Sequence, residues 1–118
     1  MWLVIDTDRW PAKTLHRIAK YCQRKGWGIA ISNPCFELWL YLHKEPLPVE
    51  VIYTSQEMKT ALGELVVGGY TAENFVLLLA MAIVNAKAAD DSVAYNLPEL
   101  MRTQLWRLGE ALLPFLED

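Results

Sequence analysis

Two short apolar runs, separated by the length of one amphipathic helix, restrict the possible folds more than any other feature. Trp2-Leu-Val-Ile5 empties into Asp6-Thr-Asp8, and Gly28-Ile-Ala-Ile-Ser32 follows after a single intervening segment. Consecutive large or β-branched apolar residues read as strands buried on both faces, the habit of parallel sheets. In the segment between, Leu15, Ile18, Ala19 and Cys22 keep the i, i+3, i+4, i+7 spacing of a helix. Pro11 suits its first turn and Gly26 its stop. Strand, helix, strand is a βαβ unit, and its crossover is expected to be right-handed. The expected class is therefore α/β, with a Rossmann-like core of short parallel strands.

Open α/β sheets keep their ligands at the C-terminal ends of the strands. Asp6 and Asp8 lie there. Side chains two apart on an extended strand leave from one face about 7 Å apart. Two carboxylates so placed suit a hard dication such as Mg²⁺. The same pair also serves simply to end the strand and cap the next helix.

After the second strand, Asn33 is expected at the N-cap and Pro34 in the first turn of a helix over Cys35–His43. That helix is apolar nearly all round, so burial is expected. Its one carboxylate, Glu37, shares a polar face with Asn33, Tyr41 and Lys44 and either faces water or joins Asp6 and Asp8 at the strand ends. Between Asp8 and Glu37 the sequence has no acid. Residues 1–44 hold seven Lys/Arg against three acids and residues 45–118 four against eleven, so +4 and −7 underlie the net −3. A basic front beside a carboxylate pair fits an anionic substrate. Lys13, Arg17, Lys20 and Arg24 form one face of the first helix, readable as a phosphate-contacting stripe or as a solvated face. His16 has no partner at ligand spacing.

The remaining chain, 45–118, is expected to be mostly helical and to form one domain with 1–44, a βαβα core. Residues 44–53 read as a linker with a short extended piece at 49–53. Thr54-Ser-Gln-Glu57 has capping-box spacing and begins a helix that stops near Gly68-Gly69. Thr71 would cap a long helix to Asp90, with Phe75, Leu78, Leu79, Ala82, Ile83 and Ala86 on its core face. Asn96-Leu-Pro-Glu99 would cap a last helix with a stripe of Leu97, Leu100, Met101, Leu105, Leu108 and Leu112, broken by Pro114. The run from Phe75 to Val84 is about half the roughly 20 residues a spanning helix needs, so no membrane segment is expected. Cys22 and Cys35 fall in apolar helical patterns and read as core thiols of a cytoplasmic protein. No secretory leader is expected before the first strand. Two strands make an inadequate sheet, and 53% hydrophobic residues with mean hydropathy +0.14 is a surplus for 118 residues. Both point to further strands, a second copy (a homo-oligomer) or another protein.

Val4-Ile-Asp-Thr-Asp-Arg9 followed by Ile29-Ala-Ile-Ser-Asn-Pro-Cys-Phe-Glu-Leu-Trp-Leu-Tyr-Leu-His43 resembles the RloB-like proteins of bacterial restriction and abortive-infection loci. The block Ser32-Asn-Pro-Cys-Phe-Glu-Leu-Trp39 is the specific part, and Ala82-Ile-Val-Asn-Ala-Lys-Ala-Ala89 is similar to a weaker downstream block. The resemblance implies a Toprim-like fold, shared with topoisomerases, bacterial primases and OLD-type nucleases. There an Asp-x-Asp pair joins a glutamate from an earlier strand to hold Mg²⁺, or Mn²⁺, for phosphoryl transfer. Asp6 and Asp8 match the Asp-x-Asp positions. An AAA-type ATPase partner and phage defence by nucleic-acid cleavage are implied likewise. The family's Glu-Gly strand would lie before residue 1, and Glu37 sits in the matched block without being the Toprim glutamate. An aspartate pair alone should hold Mg²⁺ weakly.

Three functions are thus distinguished. The first is a metal-dependent nuclease subunit with Asp6, Asp8 and Glu37 at its centre and Arg9, Lys13 and Arg17 on nucleic-acid phosphates. The second is a non-catalytic, truncated Toprim-like assembly module. The third, a nucleotide sensor, is disfavoured because no Gly-x-Gly-x-x-Gly or Gly-x-x-x-x-Gly-Lys-Ser/Thr loop is present.

Overall fold

Strand β1 (Trp2–Asp6) lies parallel to β2 (Gly28–Asn33), with Trp2 opposite Gly28 and Asp6 opposite Ser32. Helix α1 (Ala12–Lys25) crosses between them and ends on Gly26, whose φ of 71° is a left-handed conformation that glycine adopts without strain. The βαβ unit is present as expected. The computed structural model describes residues 1–47, 53–66 and 76–116. Its further elements are α2 (Glu37–Leu42), α3 (Ser55–Leu65), α4 (Leu79–Ala89), β3 (Arg102–Thr103) and α5 (Leu105–Leu116). The architecture is α/β, a partial Rossmann-like core joined to a helical C-terminal half.

Strand alternation sorts the core into two layers. Ile29 and Ile31 join Ala19 and Cys22 of α1, with Leu3, Ile5, Ile18 and Trp27 packed against them. Ala30 faces the other way, into a larger cluster containing Leu38, Trp39, Met58, Ala82, Ile83 and Leu105. Burying a side chain such as Leu38 or Leu62 is worth roughly 1.5–3 kcal/mol relative to leaving it in water. The second layer covers β2 but leaves β1 open. Trp2 is 38% and Val4 46% exposed, so the expectation of a first strand buried on both faces is wrong. Leu3 and Ile5 turn inward, whereas Trp2 and Val4 lack a covering helix among the described residues.

The last third of the chain differs most from expectation. Leu97, Leu100 and Met101 do not open a helix. Met101 adopts φ 63°, which a right-handed helix cannot contain, and the chain turns to lay Arg102–Thr103 antiparallel on Ser32–Asn33. The physical reason lies in β2, whose Ala30, Ile31 and Ser32 are fully buried and whose second edge must be paired. β3 meets part of that requirement. Gln104, also fully buried, meets another: its backbone N–H donates to the Ile31 carbonyl at 2.9 Å and its Oε1 accepts from the Ile31 N–H at 3.2 Å. Its Nε2 donates to Ser92 Oγ and the Asn96 carbonyl. Pro114 does not break α5, which continues to Leu116; at the last turn the proline forfeits one hydrogen bond rather than the helix.

Asn33 is not an N-cap either. It is the last residue of β2, and its side chain accepts from Thr7 Oγ1 at 2.9 Å and donates to the Pro98 carbonyl at 3.1 Å. Helix α2 starts later and is shorter than expected, with Phe36 at its N-cap. The capping box is present in both halves: Thr54 Oγ1 accepts from the Glu57 N–H and Glu57 Oε1 from the Thr54 N–H, each at 3.2 Å. Leu79, Ala82, Ile83 and Ala86 form the buried face of α4 as expected. Cys22 and Cys35 are buried and free. Residues 49–52 of the extended piece, the Gly68-Gly69 stop, the Thr71 cap and Phe75 lie outside the described residues. Among the described residues no helix is long and apolar enough to cross a membrane.

Candidate functional site

Parallel pairing brings both strands to the same carboxyl edge, and the acidic residues gather there. Asp6 closes β1. The chain then turns at once into a 3₁₀ helix over Thr7–Arg9, anchored by the Asp8 N–H donating to the Pro34 carbonyl at 3.3 Å. Asp8 therefore does not share a strand face with Asp6, contrary to the expected period-two placement. The turn carries it instead toward α3, where its Oδ2 accepts from Ser55 Oγ at 2.5 Å. Thr7, between the two aspartates, is tied to Asn33.

Glu37, the first residue of α2, is half-buried, and its Oε2 is buried with no hydrogen-bond partner among the described residues. Its buried Oε2 does not face water, and its charge acts on Asp6. Burial pushes the Asp6 carboxyl above its usual range, and the negative charges of Asp8 and then Glu37 push it further. The Phe36 backbone N–H and Arg9 pull it back. Burial likewise pushes up the Cys35 thiol, which bonds with Ser55 and feels the charges of Glu37 and Asp6. Asp6, Asp8, Glu37, Cys35 and Ser55 thus form one electrostatic neighbourhood.

A cleft of about 480 Å³ opens beside it along the free side of β1. Asp6 and Arg9 line its polar end, and Val4, Trp10, Ile18 and Phe36 its apolar walls. Lys13 and Arg17 are not in this cleft. They stand exposed on the outer face of α1, where Arg17 borders a separate depression. Asp6 and Arg9 thus share the cleft, Asp8 and Glu37 act on the Asp6 carboxyl through their charges, and Lys13 and Arg17 stand outside it. Sequence reasoning missed Ser55, Trp10 and Phe36. Ser55 had been legible only as the residue after a helix cap, and its bond to Asp8 spans 47 positions.

The donors fit a hard dication in chemistry: three carboxylates, one carrying an orphaned buried oxygen and another held above its normal proton affinity by burial and then by the other two. The set is not preassembled. Among the described residues no three His, Cys, Asp or Glu side chains already converge at metal-holding geometry.

No curated protein and no solved structure matches the chain. The family model described as RloB-like protein matches residues 1–112, and the chain belongs to that RloB-like family.

Proposed function

We propose that this RloB-like chain is the phosphodiester-cleaving component of a phage-defence assembly, dependent on Mg²⁺ or Mn²⁺ and partnered by an AAA-type ATPase. The observation that carries the reading is the orphaned Glu37 Oε2 and its charge on Asp6, whose proton affinity is raised by burial first and then by Asp8 and Glu37. Negative charge at a strand edge that Arg9 offsets only in part is costly unless a cation joins it. Asp6, Asp8 and Glu37 would hold the cation. When bound, it would withdraw charge from a phosphodiester and favour attack by water. Arg9, in the cleft with Asp6, would grip the phosphate by charge-assisted hydrogen bonds. Trp10 and Phe36 would shield one side of the site from solvent, and Lys13 and Arg17 would hold flanking phosphates outside the cleft.

The test is cleavage of labelled RNA and DNA by wild type and Asp6→Asn with Mg²⁺, Mn²⁺ and EDTA. Wild-type cleavage that needs the metal and falls by two orders of magnitude or more in the variant is the expected result. Equal cleavage by both proteins rejects the assignment.

A second reading, an assembly module without catalysis, is favoured by one observation: the apolar flank of β1, where Trp2, Val4, Trp10 and Phe36 are exposed. A homo-oligomer or a docked partner strand would cover it. On that reading light scattering finds a stable oligomer and no metal-dependent cleavage accompanies it.

A further inference from the structure

Helix α1 presents a face that ordinary solvation explains poorly. Lys13, Arg17, Lys20 and Arg24 follow one another at intervals of four, three and four, opposite the buried Leu15, Ala19 and Cys22. All four are exposed. An ordinary solvated helix face mixes signs, because oppositely charged residues three or four apart stabilise the helix and like charges destabilise it. Here every neighbouring pair is alike and the helix contains no acid. Among the described residues the sole salt bridge is Lys87–Glu110, far along the chain, so no carboxylate neutralises the stripe by contact.

The stripe also contains an aromatic. Tyr21 is 45% exposed and stands edge-on to Trp27, with ring centroids 5.6 Å apart. Arg17, Lys20, Tyr21, Gln23 and Arg24 line an open depression of about 560 Å³. Lys13 to Arg24 spans about 16 Å along the helix axis, enough to follow several consecutive phosphates. Its N-terminal end adjoins Arg9, which lies in the Asp6 cleft. Phosphates alone would need only the cations. An exposed aromatic among them adds a surface on which an unpaired base can stack, the combination that suits single strands. A duplex keeps its bases stacked inside and offers Tyr21 nothing.

We propose that the outer face of α1, with Tyr21, is a track for single-stranded nucleic acid that leads into the Asp6 cleft. The inference rests on the cleft being where strands are cut, but the binding it predicts is independent of cutting. The test is fluorescence anisotropy in EDTA with labelled dT₁₂, rU₁₂ and a 12-base-pair duplex, over a series of salt concentrations. The single strands should bind at least fivefold tighter than the duplex at matched salt, and the two oligomers show whether DNA or RNA is preferred. Arg17→Gln and Arg24→Gln should each flatten the log K against log salt slope by about 0.7. Tyr21→Ala should weaken single-strand binding about fivefold or more, the effect of losing one stacked base. It should leave duplex binding unchanged, and Tyr21→Phe should restore wild-type affinity. Equal affinity for duplex, single strand and inorganic polyphosphate of matched charge would mean a general polyanion surface and overturn the proposal, as would a Tyr21→Ala protein that binds like wild type. A protein that cuts nucleic acid but shows none of these α1 effects sinks the track alone. One that binds through α1 but cuts nothing sinks the nuclease and leaves the track.

Discussion

Burial, and after it the charges of Asp8 and Glu37, raise the proton affinity of the Asp6 carboxyl. The direction fixes a pH signature. A carboxyl whose folded pKa lies above its unfolded value of 3.8 binds protons more tightly when folded. Its contribution favours folding below that value and is lost as pH rises through the higher folded pKa. Asp6→Asn removes the charge and is therefore expected to raise the melting temperature at pH 7. It should also flatten the fall in stability as pH rises from about 4 toward neutrality. Mg²⁺ should raise the wild-type melting temperature and leave that of the variant unmoved. Thermal denaturation by circular dichroism, with and without Mg²⁺ across that pH range, checks each part. Removing a carboxylate stabilises a protein only where the fold holds that group at the expense of stability, as a binding site does.

Among the elements, α4 and α5 pack against each other at Gly109. A Cβ added there would lie 3.0 Å from Ile83 Cγ1 and 3.3 Å from the Trp39 ring, so the glycine sets how near the two helices approach. Gly109→Leu should destabilise the fold by at least about 1–3 kcal/mol through overpacking, read as a lower denaturant midpoint at unchanged slope. Legibility in the sequence followed how local each element's cause is. Helix α1 was readable because its apolar stripe and its Gly26 stop lie in one stretch, and the Thr54–Glu57 box because four consecutive residues suffice for it. β3 was not. Two residues carry no periodicity, Leu97, Leu100 and Met101 imitate a helix, and only the buried edge of β2 explains why the chain turns back. The candidate site shows the same division. The aspartates and Glu37 could be placed at one edge from strand order alone. The turn that carries Asp8 to Ser55, and the exposure of β1 that opens the cleft, depend on partners far away in sequence.

Across the whole molecule, the acid-free first helix and the carboxylate edge occupy neighbouring parts of one small fold, so on the proposed function an anion attracted by the former would be delivered to the latter. The same fold leaves β1 paired on one side among the described residues, with Trp2 and Val4 uncovered. If assembly runs through that strand, a charge at its centre should prevent it. Val4→Lys is then expected to reduce the scattering mass to that of a monomer while the circular dichroism spectrum stays unchanged. An unaltered mass would place the contact elsewhere.

The stitching of Gln104 and Thr103 onto β2 also has a consequence for biosynthesis. Their bonds to Ile31 and Ser32 join positions 73 and 71 residues apart. On a ribosome adding 5–20 residues per second, the front half therefore waits roughly 4–14 s for the segment that completes its sheet. Through that interval a nascent apolar strand stands bare on its inner edge, so the newborn chain is a natural client for whatever chaperone waits at the exit tunnel.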